Sequence, residues 1–256
     1  MTGKTEDLAA MGRSGAQGAS HEPLLEVKAL ATGYGKLRVV HDVNFSMIPG
    51  ETLGIIGRNG MGKTTLMKAI MGLLPVHEGG LTFARRDLTR APASDRCRLG
   101  IGYVPQGRLI FPRLTVEDNL EAGIVATKGS FSKRADEVLQ LFPLLKPLLK
   151  RRGGSLSGGQ QQILAVARAL MSSPTMLILD EPTEGIQPSI IMEIIQSLRY
   201  LSREVGVSVL VVEQRLDFLQ LVAKDSLIMD RGEIVARTSC ESLVNDLELQ
   251  HRYLGV

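Results

Sequence analysis

Short apolar stretches alternate with amphipathic helical stretches along most of the chain. Apolar residues at every second position predict two strands, around residues 25–29 and 43–47. After a turn, the continuous apolar run 53–56 is typical of a strand that is buried on both faces. A helix is predicted from Lys63, and Gly72 marks its end. This alternation of strands and helices predicts an α/β fold.

The rest of the chain continues the alternation around a helical middle section. Residues 115–152 contain helical runs and no clear strand, and Thr115 with Asp118 has the spacing of a helix-capping box. On either side, the pattern predicts strands at 101–104, 176–179, 207–212, 227–229 and 234–236, and helices at 157–172 and 190–202. The middle section is therefore predicted to be a helical insertion in an α/β core.

The composition is that of an ordinary globular protein. Of the 256 residues, 44% are apolar, which excludes a fully disordered chain, and a net charge of +3 excludes a polyanion-binding protein recognised by bulk charge. Cys97 and Cys240 lack metal-ligand spacing and are expected to be reduced thiols. No apolar run approaches the ~18 residues that span a bilayer. Residues 1–22 are expected to form a disordered tail.

Glycine is over-represented, at 27 of 256 residues, and one cluster of glycines forms a phosphate-loop motif. The segment follows the predicted strand 53–56 and opens a helix, which is the context that the pattern G-x-x-x-x-G-K-[ST] requires. Its residues are Gly57, Arg58, Asn59, Gly60, Met61, Gly62, Lys63, Thr64 and Thr65. In such a loop backbone N–H groups surround a phosphate, Lys63 would reach the β- and γ-phosphates, and Thr64 would bind Mg²⁺.

A pair of carboxylates stands at the end of an apolar strand. The run 176–179 is followed by Asp180 and Glu181, at the strand end where open α/β sheets bind their ligands. Asp180 suits Mg²⁺, and Glu181 suits the orientation or deprotonation of an attacking water. Taken alone, the two carboxylates are explained equally well as the solvated end of a strand. Together with the phosphate loop, they predict nucleotide hydrolysis.

A third motif lies between these two along the chain. At the start of a predicted helix, free backbone N–H groups and a hydroxyl offer an anion site, formed by Leu156, Ser157, Gly158, Gly159 and Gln160. In this position the pentapeptide resembles the signature of the ABC-transporter ATPases, and the resemblance extends over residues 24–236 with the motifs in the family's order. It implies a P-loop NTPase (RecA-like) core with an antiparallel β subdomain and an inserted α-helical subdomain.

The resemblance also implies domain boundaries and further site residues. Residues 23–240 would form the ATPase domain, with the helical subdomain at about 107–157, followed by a C-terminal helical tail at 241–256. Tyr34 would stack on adenine, and Gln106 would contact ATP and help to hold Mg²⁺. In this family ATP lies between the phosphate loop of one subunit and the signature of another. The chain is therefore expected to dimerise in order to hydrolyse ATP.

Shorter strings resemble one branch of the family. Residues 104–108 and 111–117 look like the ATPases of importers for branched-chain amino acids and amides, and residues 181–190 and 151–154 look most like the urea-importer subunit. The position that usually holds a switch histidine is Gln214, which can hydrogen-bond a γ-phosphate but cannot carry a proton. We hypothesise that the Gln214 site is the less active member of an asymmetric heterodimer.

The resemblance implies a subunit that hydrolyses ATP to power an importer of urea or short-chain amides or, alternatively, of branched-chain amino acids. The expected partners are a homologous ATPase subunit, membrane permease subunits and, indirectly, a substrate-binding protein, with no nucleic acid. The expected location is the cytoplasmic face of the inner membrane. Residues 109–111 are expected to be exposed. They would either pack locally in the helical subdomain or, as the resemblance implies, receive a cytoplasmic helix of the permease, and the two alternatives are not exclusive.

Three other classes of protein fit the sequence less well. Soluble ABC ATPases that act on DNA or ribosomes carry long coiled coils or two ATPase modules, and this chain has neither. A P-loop kinase would not explain the segment 156–160. An inactive regulatory binder would not need Lys63, Asp180 and Glu181 together.

Overall fold

The computed structural model describes residues 22–124 and 130–254. The disordered tail predicted for residues 1–22 lies outside the described residues except for Glu22, whose carboxylate pairs with Arg85. Among the described residues, every helix is too short or too polar to traverse a bilayer.

The described residues form ten strands and nine α-helices. The strands are β1 (Leu25–Tyr34), β2 (Leu37–Met47), β3 (Thr52–Ile56), β4 (Val76–Phe83), β5 (Arg86–Asp87), β6 (Ile101–Val104), β7 (Met176–Asp180), β8 (Ser208–Glu213), β9 (Asp225–Asp230) and β10 (Glu233–Ser239). The helices are α1 (Lys63–Ile70), α2 (Ala93–Arg98), α3 (Val116–Ile124), α4 (Phe131–Leu141), α5 (Gly158–Leu170), α6 (Pro188–Tyr200), α7 (Leu216–Val222), α8 (Cys240–Asn245) and α9 (Leu247–Tyr253). Short 3₁₀ segments cover Pro143–Leu148 and Gly153–Ser155, and a π segment covers Leu201–Val205.

The strands form two sheets, as the predicted fold requires. The larger sheet has the order β10-β9-β3-β8-β7-β6, in which β10 is antiparallel to β9 and the other neighbours are parallel. The smaller sheet, β2-β1-β4-β5, is antiparallel. Because β3, β8 and β7 are parallel neighbours, the loops that follow them meet at one edge of the larger sheet, where such sheets bind ligands.

The parallel sheet is buried on both faces, because its strands point alternate side chains into two hydrophobic layers. Leu177 and Leu179 of β7 pack into the layer that contains α3, α5 and α6. Met176 and Ile178 pack into the layer that contains α1 and the smaller sheet. A strand that is covered on both sides shows a continuous apolar run, so the buried strand predicted before Asp180 is confirmed.

The first strand departs from the predicted alternation at Ala29. Leu25 and Val27 are buried as predicted, whereas Ala29 is exposed at φ +46° and its N–H donates to Asn44 Oδ1. The next buried side chain is Leu30, and the pairing register with β2 shifts at this point. A bulge therefore changes which residues face the core, and the apolar pattern alone does not reveal it.

The apolar pattern does not predict β4, β5, α2 or α7. The sequence of β4, VHEGGLTF, contains two glycines and three polar residues, and most of its side chains are exposed or half-buried. Its strand conformation is set by pairing with β1. Tertiary pairing therefore overrides a weak local preference here.

The middle section is helical, as predicted. Thr115 and Asp118 form the predicted capping box: Thr115 Oγ1 accepts from the Asp118 N–H at 3.1 Å, and Asp118 Oδ2 accepts from the Thr115 N–H at 3.0 Å. The buried Asn119 side chain binds the backbone N–H and C=O of Phe111. Helix α3 thereby fixes the segment that leads from β6 into the helical section.

Candidate functional site

The phosphate loop connects β3 to α1, and its backbone requires glycine at two positions. Gly60 and Gly62 have φ values of +80° and +98°, which residues with a Cβ rarely adopt. Gly62 is also the N-cap residue of α1, so the loop closes directly onto the helix N-terminus. This end of a helix favours anions because its backbone N–H groups are unpaired and its dipole is positive.

Lys63 lies folded into this loop. Its ammonium donates to the carbonyls of Gly57 and Arg58 at 2.8 Å each and lies 3.9 Å from Glu181 Oε1. The side chain is 4% exposed. Burial lowers the pKa of Lys63, and the neighbouring carboxylates, Glu181 foremost, oppose that shift. The lysine is thus a buried cation that points into the loop.

Asp180 contacts the start of α1. Thr64 Oγ1 donates to Asp180 Oδ1 at 3.1 Å, and the Tyr103 hydroxyl lies 3.4 Å from Oδ2. Burial raises the pKa of Asp180 to about 6, and the hydrogen bond from Thr64 partly offsets the rise. A hydroxyl and a carboxylate oxygen are ligands that Mg²⁺ prefers, and Mg²⁺ usually keeps waters and substrate phosphates as its other ligands. Thr64 and Asp180 therefore fit a magnesium ion.

Glu181 is the centre of a hydrogen-bond network. The Gln214 amide donates to Glu181 Oε1 at 2.9 Å and to Asn59 Oδ1 at 2.6 Å. The Gln106 amide donates to Glu181 Oε2 at 3.0 Å and to Glu184 Oε2 at 3.2 Å. Three predicted residues from separate loops, Gln106, Glu181 and Gln214, therefore meet beside Lys63. The sequence also predicts that Gln106 holds Mg²⁺. In this structure its amide nitrogen donates to the carboxylates of Glu181 and Glu184.

The other residues of the phosphate loop have different partners. Arg58 Nη2 donates to the His251 carbonyl at 2.8 Å, which joins the loop to α9. Met61 accepts from the Gly232 N–H through its carbonyl. Thr65 is buried in α1. The loop is thus held by the C-terminal helix and by the β9–β10 turn as well as by its own strand.

Tyr34 lies at the end of β1 with nearly half of its surface exposed. Lys68 of α1 places its ammonium 5.8 Å from the ring centroid and 3.4 Å from the hydroxyl. The ring therefore lies beside the helix that follows the phosphate loop, and its contact with adenine stays a prediction.

The signature pentapeptide begins α5. Ser157 is the N-cap residue, and with Gln160 it forms a reciprocal capping box at 3.3 and 3.0 Å. A Cβ at Gly158 would lie 3.1 Å from the Arg108 guanidinium, and one at Gly159 would lie 2.8 Å from Ile190. These glycines thus permit close packing within the chain, in addition to the anion contact predicted for them. Leu156 is buried in the core.

Several polar residues that contact the site were not predicted from the sequence. Tyr103 lies in β6 and reaches Asp180, and burial raises the pKa of its hydroxyl. The Glu213 carboxylate accepts hydrogen bonds from Thr183, two residues after Glu181. The Arg108 guanidinium joins Gln161 of α5 to the carbonyls of Glu184 and Gly185. These residues carry no motif of their own; the one available signal for Glu213 is a carboxylate at the end of an apolar strand.

A groove of about 580 Å³ opens between the α/β core and the helical section, and among the described residues its lining includes Tyr103 but none of the phosphate loop 57–65. Its lining is mainly apolar and includes Leu73, Ala93, Cys97, Leu109, Phe111 and Arg168. Leu109 and Phe111 are exposed, as predicted for residues 109–111, but Ile110 is half-buried and packs against the core. The exposure predicted for Ile110 was wrong, because its side chain packs locally against the hydrophobic core, close to Gly153.

A phosphate loop at a helix N-terminus, a buried lysine, and two carboxylates at the end of the adjacent parallel strand define a P-loop nucleotide-hydrolysing protein. A profile of the family described as ABC transporter matches residues 40–184, which is more than half of the chain. The chain therefore belongs to the ABC transporter family and is an ABC-type ATPase.

Individual relatives agree with this assignment. The chain is 38% identical over 233 residues, 91% of its length and 100% of the relative, to the high-affinity branched-chain amino acid transport ATP-binding protein BraG of Pseudomonas aeruginosa. It is 34% identical over 236 residues, 90% of its length and 97% of the relative, to the lipopolysaccharide export system ATP-binding protein LptB of Escherichia coli.

Solved structures show the same fold. A nucleotide-free ATP-binding cassette from an ABC transporter superposes with a TM-score of 0.80 at 27% identity, covering 89% of this chain and 97% of that one. A dimeric post-hydrolysis cassette bound to ADP and Pi has a TM-score of 0.77 at 27% identity, covering 84% of this chain and 98% of that one.

Proposed function

We propose that this ATPase powers an importer of branched-chain amino acids, with Glu181 directing the water that attacks ATP. The observation that carries the proposal is the meeting of Lys63, Glu181 and Gln214 at the phosphate loop. The near end-to-end match with BraG, a branched-chain amino acid transport ATP-binding protein, supports the cargo.

The residue roles follow from the positions of the side chains. Lys63 would leave the carbonyls of its own loop to bind the β- and γ-phosphates, because a phosphate oxygen is a stronger acceptor for an ammonium than a carbonyl. Glu181 would accept a proton from water, and Gln214 would bind the γ-phosphate through the amide that it now shares between Asn59 and Glu181. Tyr34 would stack on the adenine.

A bound Mg²⁺ would neutralise charge on the phosphates. Thr64 and Asp180 would hold it, with Gln106 as a further ligand. Asp180 must be ionised to do so, and the raised pKa of its carboxyl, about 6, still leaves it ionised at neutral pH. The chain's own contribution is therefore to keep this carboxylate dry and oriented by two hydroxyl groups.

The signature would act on the ATP of a second subunit. Residues 156–160 would supply N–H groups and the Ser157 hydroxyl to the partner's nucleotide, and the dimeric cassette bound to ADP and Pi supports such an assembly. We propose a homologous ATPase as that second subunit. Membrane permease subunits would dock in the groove beside Leu109 and hold the protein at the cytoplasmic face of the membrane. A substrate-binding protein would act through them.

Uptake measurements test both the cargo and the catalytic role. In cells that lack the chromosomal copy, wild-type protein is expected to restore uptake of labelled leucine, whereas Glu181→Gln is expected to restore less than one-tenth of it. Glu204→Gln is the matched control, because Glu204 is exposed in the π segment. Full leucine uptake with Glu181→Gln would contradict the role of Glu181.

The same cells distinguish the second candidate cargo. The strings at 151–154 and 181–190 resemble the urea-importer subunit, so uptake of labelled urea and acetamide is measured in parallel. Loss of leucine uptake with unchanged urea uptake supports the proposal. Loss of urea uptake alone would replace branched-chain amino acids by urea and amides as the cargo.

A further inference from the structure

Glu213 is a buried carboxylate that none of the motifs includes. It is the last residue of β8 and is 3% exposed. Its Oε1 accepts from the N–H and the hydroxyl of Thr183 at 2.9 and 2.7 Å. Its Oε2 accepts from the backbone N–H of Gln214 at 3.1 Å and of Arg215 at 3.5 Å. A buried carboxylate is costly unless it is hydrogen-bonded in this way, so the four donors are required by the charge.

The partners of Glu213 lie on both sides of the catalytic carboxylate. Thr183 follows Glu181 by two residues, and Gln214 donates to the Glu181 carboxylate. Glu213 therefore joins the loop after β7 to the loop after β8 at the point where both carry site residues. The Glu181 backbone is itself joined to β8, because its N–H donates to the Val212 carbonyl at 2.9 Å.

Glu181 needs such support because its backbone is strained. Its φ is +50°, a conformation that is unfavourable for a residue with a Cβ and that persists only where the surroundings impose it. Without the bonds from Thr183 to Glu213, the loop 181–184 would be free to relax to negative φ. That relaxation would rotate the Glu181 side chain away from Lys63 and Gln214.

We propose that Glu213 is a positioning residue for ATP hydrolysis, which holds Glu181 in its strained conformation through Thr183 and fixes the start of the Gln214 loop through the backbone N–H of Gln214. The inference rests on the proposed catalytic role of Glu181. It predicts that the Glu213 carboxylate affects the rate of hydrolysis far more than nucleotide binding, because the Lys63 ammonium is held by carbonyls of its own loop and makes no hydrogen bond to Glu213.

Glu213→Gln tests the proposal with little change in volume. The new amide group must face either the Thr183 N–H or the N–H groups of Gln214 and Arg215, so at least one donor loses its acceptor. We expect kcat to fall between about tenfold and a hundredfold, as for a displaced catalytic group. The KM for ATP and the Kd for a non-hydrolysable ATP analogue are expected to stay within twofold of wild type.

Thr183 provides a second pair of variants that report on the same bonds. Thr183→Val removes the hydroxyl donor and keeps the N–H, so a smaller fall in kcat is expected, again without a change in KM. Thr183→Ser restores a hydroxyl and is expected to recover most of the rate lost in Thr183→Val. Equal kcat values for the two Thr183 variants would contradict the proposed role of this bond.

Two controls separate positioning from general stability and from the proposed function. Val209→Ala destabilises the same buried strand without touching these hydrogen bonds; if its kcat falls as much as that of Glu213→Gln at an equal loss of Tm, the proposal is overturned. Glu181→Gln tests the premise. An inactive Glu181→Gln beside a fully active Glu213→Gln overturns the positioning role alone, whereas an active Glu181→Gln overturns the catalytic role of Glu181 and with it the inference.

Discussion

Asp180 illustrates how a single residue can serve a site at the expense of folding. Its carboxylate is buried, and its two partners among the described residues are the hydroxyls of Thr64 and Tyr103. The pKa of Asp180 is raised from 3.8 to about 6, mainly by burial. Between pH 3.8 and about pH 6, the Asp180 carboxyl therefore binds more protons in the native state than in the unfolded state. Folding stability is therefore lost as the pH rises through this window.

Asp180→Asn is accordingly expected to stabilise the protein at neutral pH while it abolishes hydrolysis. Hydroxyl groups can turn to accept from the new amide, so both partners stay bonded. The expected gain is of order 1–3 kcal/mol at pH 7.5, a rise in Tm of roughly 5 °C, and it should be smaller at pH 5. Thermal unfolding without nucleotide or Mg²⁺ measures it. Exposed Asp136→Asn is the control, and a lower Tm at pH 7.5 for Asp180→Asn would contradict the expectation.

Lys63 shows the complementary case of a residue whose present contacts are local. The two carbonyls that accept hydrogen bonds from its ammonium belong to the phosphate loop itself. Burial lowers the pKa of this lysine, and the adjacent carboxylates oppose part of that decrease. The cation is thus pre-positioned within the phosphate loop, and its charge is available to a phosphate without a large rearrangement.

At the scale of elements, α1 connects the nucleotide site to a buried arginine. Arg96 of α2 is 1% exposed, and its guanidinium donates to the carbonyls of Ala69, Ile70, Leu88 and Ala91 at 2.6–2.9 Å. Two of these carbonyls belong to the C-terminal end of α1, where a cation also complements the helix dipole. The helix that begins at the phosphate loop is therefore anchored at its other end by a single side chain.

Arg96→Met is expected to destabilise the protein by about 3 kcal/mol, because buried carbonyls lose their donor. Arg98→Met is the matched control: Arg98 lies on the same helix, is exposed and pairs with Asp95, so its loss should cost less than about 0.5 kcal/mol. Urea unfolding measures both values. An equal effect of the two substitutions would show that the carbonyl contacts of Arg96 contribute little.

The elements of the fold differ in how far the local sequence specifies them. Helix α5 begins with a complete capping box between Ser157 and Gln160, so its start is encoded within four residues. The strand β4 has no such signal and takes its conformation from β1. Capping and apolar periodicity depend on neighbours in sequence, whereas strand pairing depends on residues that are distant along the chain.

In the assembled molecule, the apolar groove borders the nucleotide site through Tyr103, which lines the groove and reaches Asp180. The phosphate loop lies at the carboxyl edge of the parallel sheet, and the apolar groove lies between α2 and the helical section. Contiguous exposed apolar residues usually mark a surface that binds a partner. A groove that adjoins the nucleotide site in this way fits the proposed coupling of ATP hydrolysis to a docked permease.

Leu109→Asp is expected to weaken this docking without affecting the isolated ATPase. Leu109 is 64% exposed at the rim of the groove, and a charge there would have to be buried in the interface. The amount of permease that co-purifies is expected to fall roughly tenfold. Leu247→Asp is the control, because Leu247 is equally exposed, at 67%, on α9. Unchanged recovery of permease with Leu109→Asp would contradict the proposed docking surface.

Residues that are neighbours along the chain are sufficient to predict the α/β class, the buried strands β3 and β7, the capped helices, the phosphate loop and the carboxylate pair. These features depend on contiguous residues whose periodicity, glycine content or capping chemistry is local. The family resemblance added Tyr34, Gln106 and Gln214, of which the structure brings Gln106 and Gln214 to Glu181.

The polar groups that support this site become evident once the chain is folded. The bulge at Ala29, the inward turn of Ile110, the contact of Tyr103 with Asp180, and the bonds of Glu213 to Thr183 each join residues from different strands or loops. Their roles depend on sheet order and on burial, which raises the cost of every unpaired charge. The sequence of β8 shows that Glu213 follows an apolar run. The parallel pairing of β7 with β8, in which Asp180 lies opposite Val212, brings Glu213 next to the loop that contains Glu181 and Thr183.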